Sequence, residues 1–251
     1  MLAKLELYIE YQYKEKLSYQ ISSNMHGIIM DLIDTNYADE LHKDGRKPFH
    51  QYIRKMTENN FLWVICTLNQ EAKEKIIDIL ATKNELYMRH KDLKLYIVRR
   101  NLSVITYEEL IQKYYFQEQP RDITIQFMTP TAFKSHGKYV FIPDTRFIFQ
   151  SLLNKYDSYS TDTKVGGVEI VEHFEQYSFI KKYRLNSVRF ALEGIWISAF
   201  LGEVTIHING PSQMVNLAHM LAAYGEYAGV GIKCSLGMGS IMKKERILRD
   251  R

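Results

Sequence analysis

The chain has 251 residues, 46% hydrophobic and 25% charged, which excludes global disorder and a coiled coil and leaves room for one large domain or two small ones. Its formal net charge of +4 is mildly basic, compatible with a nucleic-acid partner and too weak by itself to establish one. Cys66 and Cys234 form no spaced pair, which argues against a disulfide scaffold or zinc ribbon and for a reducing compartment.

The longest apolar run, Phe61 to Cys66, is far below a membrane span, and the alternating N-terminus has no signal-peptide layout. The expectation is a cytoplasmic protein with no membrane partner. Eighteen Tyr and 12 Phe against only 5 Pro favour a strand-rich chain.

In chain order, Leu5, Leu7, Ile9 and Tyr11 alternate with polar neighbours and predict an opening strand. Ser22 and Ser23 begin a helical period carrying Ile21, Met25, Ile28, Ile29, Leu32 and Ile33 on one face. Asn36, with Asp39 three residues on, predicts a second helix from Tyr37 to about Lys43, ended by Gly45. Strands are expected at Lys47–Lys55 and Asn60–Thr67, and a helix from Gln70 to Thr82 with Ala72, Ile76, Ile79 and Leu80 at helical spacing. Strands at Leu86–His90 and Lys94–Thr106 follow, then a short helix at Tyr107–Tyr115.

Gln117 to Arg121 is the most polar break near the middle, and we place a domain boundary there, giving residues 1–118 and 119–251. The second half restarts with a strand at Asp122–Met128, a turn at Thr129-Pro130, an extended piece at Tyr139–Ile142 and a helix from Thr145 to Tyr156. A loop at Ser158–Gly167 and a strand at Val168–Ile170 follow. Strands at Lys181–Leu192 and Trp196–Ile208 form a hairpin about Glu193-Gly194. Asn209 to Ser212 caps a helix from Gln213 to Tyr227, and a glycine-rich strand closes the chain. Each half thus runs strand, helix, strands, helix, strand, the order of a split βαβ unit. The predicted fold class is α+β, with tandem ferredoxin-like (RRM-like) domains.

The most specific local feature is Gly229-x-Gly231-x5-Gly237-x-Gly239, directly after a helix, with Lys233 in its middle. Such a loop can offer backbone N–H groups to phosphate oxygens. It is neither a Walker loop nor a dinucleotide fingerprint, and the bland alternative is a helix C-cap followed by a tight strand turn.

Two further stretches accompany it. Phe127-Met-Thr-Pro130-Thr-Ala-Phe133-Lys134 runs on to Gly137-Lys-Tyr139 and Ile142-Pro143-Asp144. Met25-His-Gly-Ile-Ile-Met-Asp-Leu-Ile33 runs on to Leu41-His42-Lys-Asp-Gly-Arg-Lys47-Pro-Phe49. Together with the glycine-rich tail, and in this order, they resemble the CRISPR repeat-processing endoribonucleases over about residues 25–240.

That resemblance implies two ferredoxin-like domains and metal-independent cleavage of CRISPR repeat RNA without a cofactor. The 2′-hydroxyl attacks the adjacent phosphate, leaving a 2′,3′-cyclic phosphate and a 5′-hydroxyl, and each product keeps a 5′ handle. A CRISPR effector complex is a further implied partner, with monomer and homodimer both open. The rival from another class is a noncatalytic subunit that holds crRNA in such a complex.

Cleavage of this kind needs a base, an acid and a cation. His42 occupies the family's "LH" position, and Lys47 precedes Pro48-Phe49 as the candidate cation. The alternative for His42 is a helix-end histidine favoured by the dipole. His26, beside the apolar stripe of the first helix, is the second candidate, with a packed histidine at the domain seam as its alternative. Some relatives carry a tyrosine one turn after His26, where this chain has Met30; Tyr37 is the substitute at a different spacing. His50 is read as near the site or exposed. His90, His136, His173, His207 and His219 have no partner at ligand spacing, so no metal site is expected. For RNA contact the candidates are Lys134, Lys138, Lys181, Lys182, Arg184, Arg189 and Lys233, with Gly229, Gly231, Gly237 and Gly239. Lys243, Lys244, Arg246, Arg249 and Arg251 form a basic tail. Trp63 and Trp196 are read as core.

Overall fold

The structure, a computed structural model, describes residues 1–12, 17–43, 45–161, 163–192 and 194–245. Glu193 of the expected hairpin turn, and Arg246, Arg249 and Arg251 of the basic tail, lie outside them.

Strand β1 (Leu2–Tyr11) follows its alternation: Leu5, Leu7 and Ile9 are fully buried, while Lys4, Glu6 and Tyr8 face the other way. Helix α1 (Ser22–Leu32) buries Met25, Ile28 and Ile29. Helix α2 (Thr35–His42) starts earlier than Asn36 and Asp39 imply, because the Asp34 carboxylate accepts from the amides of Asn36 and Tyr37, at 3.0 and 3.3 Å. Strand β2 (Phe49–Lys55) begins after Pro48, which has no N–H to give a ladder, so Lys47 lies outside it. Strand β3 (Asn60–Thr67) leads to helix α3 (70–81), widened over Lys73–Asp78 into a π turn that the Lys73–Asp78 ion pair (2.8 Å) spans. Strand β4 (Glu85–Met88) is shorter than expected. Residues Arg89–Lys91 form a 3₁₀ turn closed by Asp92 at φ 47°, before β5 (Leu93–Ile105).

These strands form an antiparallel sheet in the order β2-β3-β1-β5-β4. The first four are the split βαβ arrangement; β4 is an added edge strand.

Helix α4 (Tyr107–Tyr114) opens on a capping box between Thr106 and Glu109. Strand β6 (Asp122–Thr131) runs straight through Thr129-Pro130, where a turn was expected. The register slips there: Thr131 faces Phe200 and Phe127 faces Gly202, so Pro130 sits in a bulge where its missing N–H leaves no gap in the ladder. Strands β7 (Phe133–Ser135) and β8 (Lys138–Val140) make a small hairpin. Helix α5 (Thr145–Tyr159), capped by Asp144, outlasts its predicted end.

The expected strand at Val168–Ile170 is instead the first turn of helix α6 (Val168–Tyr177). Ile170, Val171 and Phe174 reach the core at helical spacing, a period that three residues are too few to reveal. Strands β9 (Ser178–Leu192) and β10 (Ile195–Ile208) pair along their whole lengths. Helix α7 (Ser212–Ala228) starts after Pro211 with no side-chain cap, and β11 (Ile241–Lys244) closes the second sheet in the order β11-β6-β10-β9. Both sheets therefore share one strand order, and the fold is a tandem of ferredoxin-like α+β units.

One core lies between the first sheet and α1–α3, and a second between the second sheet and α4–α7. Leu110 of α4 packs in the second core although it precedes the polar break at Gln117. Strand β3 is buried on both faces, because Leu62, Val64 and Cys66 turn away from their own core and join Tyr8, Tyr52 and Tyr227 of α7. Lys4 supports the same seam, 3.7 Å from Glu226 and over the Tyr227 ring. Among the described residues no helix is long and apolar enough to cross a membrane.

Removing the Asp34 cap should loosen α2, the helix that ends in His42. Asp34→Ala is expected to lower the unfolding free energy by about 1 kcal/mol in urea titration, while Asp34→Asn keeps most of it. Equal stability of all three proteins would refute the cap's role.

Candidate active site

His26, His42 and Lys47 lie on α1, at the end of α2 and in the loop before β2, near enough for the charges of His42 and Lys47 to act on His26. His26 is half-buried on α1 and stacks on Phe49, ring centroids 5.6 Å apart and planes 8° from parallel. Its Nδ1 lies 3.1 Å from the carbonyl oxygen of Ser235 in the glycine-rich turn. Burial pushes its pKa down to about 4; the bond to Ser235 opposes this, and the charges of His42 and Lys47 add to it. His42, exposed at the end of α2, sets its Nδ1 2.7 Å from the Ala38 carbonyl oxygen. Lys47 Nζ donates to the Lys43 carbonyl at 2.6 Å.

A carbonyl oxygen can only accept, so Nδ1 carries the proton in both imidazoles. In the neutral ring each Nε2 is then a lone pair able to take a proton, and in the charged ring each is a donor. Two such rings beside one ammonium are the groups that in-line phosphate transfer requires.

Tyr37 borders the pocket lined by Lys47 but is turned into the core. Its side chain is 3% exposed in the first core, Lys75 Nζ lies over its ring at 4.4 Å, and its hydroxyl makes no hydrogen bond among the described residues. Burial raises its pKa first, and Glu71, Glu40 and Tyr159 add to the effect. The α2 stripe that buries Ala38 and Leu41 also turns Tyr37 inward.

The glycine-rich turn is the wedge between the halves. Gly231 and Gly237 hold φ of +77° and +104°; a Cβ would stand 2.3 Å from the Ala132 carbonyl oxygen at the first and 2.2 Å from Ser22 Cβ at the second. Its amides are largely engaged within the protein. Those of Val230, Gly231, Ile232, Gly239 and Ser240 donate to Gly239, Ser151, Ala132, Pro130 and Thr129, and Gly229, Gly237 and Met238 close the local turns. The expected array of phosphate-cradling amides is therefore narrowed to residues 233–235. The turn's main work is docking: Gln51, fully buried, donates Nε2 to the carbonyls of Ser22 (2.8 Å) and Ser235 (3.0 Å) and accepts from Trp63 Nε1 (2.9 Å).

The basic candidates divide. Lys233 is exposed at the turn's tip, and Arg189 is tied to the first half by its carbonyl, which accepts from Gln20 Nε2. Lys134 and Lys138 are exposed on the β7–β8 hairpin, and Lys182 and Arg184 along edge strand β9. Lys181 is held by Asp122 at 2.8 Å, a carboxylate that also takes His207 at 2.6 Å, so its charge is neutralised locally. His50 is fully buried and stacked on Tyr52, not exposed, and Trp196 is 63% exposed near the tip of the β9–β10 hairpin, not core. Gln51, Arg46 and Lys155 were not singled out from sequence. Gln51's inward place in β2, two residues from Phe49, was the available signal; the other two become visible only when the halves meet.

The sequence profile of the family described as CRISPR-associated endoribonuclease Cas6 matches residues 125–241. A CRISPR-associated endoribonuclease Cas6 from Streptococcus thermophilus is 31% identical over 227 residues, covering 90% of this chain and 92% of that protein. One from Mycobacterium tuberculosis is 30% identical over 233 residues, covering 92% and 74%. Among solved structures, a Cas6 product complex superposes with a TM-score of 0.82 at 22% identity, covering 97% of this chain and all of that one. Thermus thermophilus Cas6 gives 0.78 at 20% identity, with 97% and 98% covered.

Three histidines are held neutral by burial: His26 and His219 near about 4 and His50 near about 3. In the unfolded chain they titrate near about 6.5. Below that pH the unfolded state takes up protons that the folded state refuses, so stability is full above about 6.5 and is lost as pH falls towards 4. Urea midpoints should drop between pH 7.5 and pH 5, and less steeply in His50→Leu. An unchanged midpoint over that interval would contradict the burial of these rings.

Proposed function

The chain belongs to the CRISPR-associated endoribonuclease Cas6 family, and on that premise we propose that it cleaves CRISPR repeat RNA in precursor transcripts by metal-independent acid–base catalysis. The observation that supports this most directly is the pairing of two Nδ1-anchored imidazoles with Lys47 beside the glycine-rich turn.

In the proposed reaction the 2′-hydroxyl before the scissile phosphate loses its proton to His26 Nε2 as its oxygen forms a bond to phosphorus. The bond from phosphorus to the 5′-oxygen breaks, and His42 Nε2 delivers a proton to that oxygen. The products are a 2′,3′-cyclic phosphate and a 5′-hydroxyl that begins the crRNA handle. His26 suits the base because burial keeps it unprotonated at neutral pH, and the incoming phosphate anion raises its basicity at the moment of use. His42 is given the acid role by its position: it is exposed at the end of α2, and with Nδ1 donating to the Ala38 carbonyl its Nε2 is left to face the leaving oxygen. Lys47 supplies the charge that stabilises the phosphorane oxygens. Tyr37 acts by packing α2. In this scheme residues 1–118 carry the acid–base groups, while 119–251 supply the glycine-rich turn and the exposed bases Lys134, Lys138, Lys182, Arg184, Arg189 and Lys233. The setting is the cytoplasm, where the product passes to an effector complex.

The test is single-turnover cleavage of the repeat RNA from the protein's own locus in EDTA. Wild type is expected to cut once per repeat, and His42→Ala to slow cleavage by about a hundredfold or more while RNA affinity stays within about threefold. No cleavage by wild type, or a strict metal requirement, would overturn the proposal; binding without cleavage would favour a noncatalytic crRNA-holding subunit.

A further inference from the structure

A second cleft lies across the glycine-rich turn from the histidines, between α5, the β7–β8 hairpin and the loop after α2, with a volume of about 310 Å³. That is about the lower limit for a small-ligand pocket. Among the described residues three cations line it, Arg46, Lys134 and Lys155, and no carboxylate does. Lys155 is held by the carbonyls of Ala228 and Gly229 and by Cys234 Sγ, all uncharged backbone or thiol partners. Among the described residues the Arg46 guanidinium donates only to the Ser158 hydroxyl, and Lys134 forms no ion pair.

The remaining walls have a different chemistry. Phe147, partly exposed, stacks on buried Phe133 with centroids 5.6 Å apart and planes 24° from parallel, giving a flat apolar surface. The side-chain amides of Gln150 and Asn154, one turn apart on α5, line the cleft and make no hydrogen bond among the described residues. Cations with no carboxylate partner among the described residues, an aromatic face and two unengaged carboxamides are complementary to a phosphate, a base plane and a base edge in turn.

We propose that this cleft binds one unpaired nucleotide of the RNA close to the cut, its phosphate on Arg46 and Lys134 and its base against Phe147, read by Gln150 and Asn154. This deepens the RNA-cleavage proposal and rests on it. Arg46 precedes Lys47 in the chain and lines both this cleft and the smaller pocket lined by Lys47. Its carbonyl accepts from the Tyr159 hydroxyl at the end of α5. A nucleotide seated here is therefore mechanically joined to the loop that carries Lys47, and its identity is a specificity determinant for cleavage.

The test is an abasic scan of the repeat RNA, each position in turn, with binding measured for wild type and for Gln150→Ala/Asn154→Ala. Asn154 is exposed and Gln150 only partly buried on α5, and both substitutions raise helix propensity, so the variant is expected to fold, which circular dichroism checks. One abasic position is expected to weaken wild-type binding by about tenfold and to cost the variant almost nothing further. Identical scan profiles for the two proteins would overturn the assignment. So would tight binding of free AMP that repeat RNA fails to displace, since the cleft would then serve a soluble nucleotide. The binding scan stands apart from cleavage. Wild type that binds with this pattern and does not cut removes the nuclease mechanism alone; wild type that cuts while the scan shows no coupling removes this nucleotide site alone.

Discussion

The carbonyl oxygen of Ser235 is the point on which the molecule turns. It accepts from Gln51 of the first sheet and from His26 of the first helix, so one backbone group of the second half locks the framework of the first and sets the orientation of an acid–base side chain. Gln51 is fully buried and engages Ser22 and Trp63 as well. A buried polar network of this kind is stabilising only when every member is satisfied, and that requirement makes the docking of the two halves specific. The glycines belong to the same constraint: a side chain at Gly237 would collide with Ser22 before Ser235 could reach its partners.

From that seam the electrostatics follow. The net charge of +4 is small, but carboxylates neutralise bases away from the seam, as Asp122 does for Lys181 and Glu203 for Lys244. The bases left exposed beside the turn, Lys233, Lys134 and Arg46, lie where the halves meet. Attraction for a polyanion is thus local, and its range is limited by screening to roughly 10 Å in ordinary salt. Partial burial of His26 in the same seam keeps a base unprotonated next to those charges.

Much of the architecture was legible along the chain because it rests on short-range rules. The alternation in β1, the span of β3 and the apolar stripe of α1 all depend on residues within one or two turns of one another. The misreadings share a cause. Val168–Ile170 was too short to show its period, Pro130 sits in a bulge created by a partner strand, and Trp196 lies on the exposed face near the tip of a hairpin whose other face buries Leu192 and Ile197. In each case the deciding residues lay outside the short segment that was read.

The sequence by itself determined the tandem βαβ order, the glycine positions and the residue types for acid–base chemistry, because periodicity, backbone freedom and side-chain chemistry are properties of local segments. Only the tertiary structure decided which of those residues meet. It brought His26, separated by 209 positions from Ser235, into contact with it, turned Tyr37 into the core, buried His50, and gathered Arg46, Lys134 and Lys155 around one cleft. Such meetings depend on how the two sheets share helix α7 and one glycine-rich turn. That is a packing constraint across more than a hundred residues, and no local pattern encodes it.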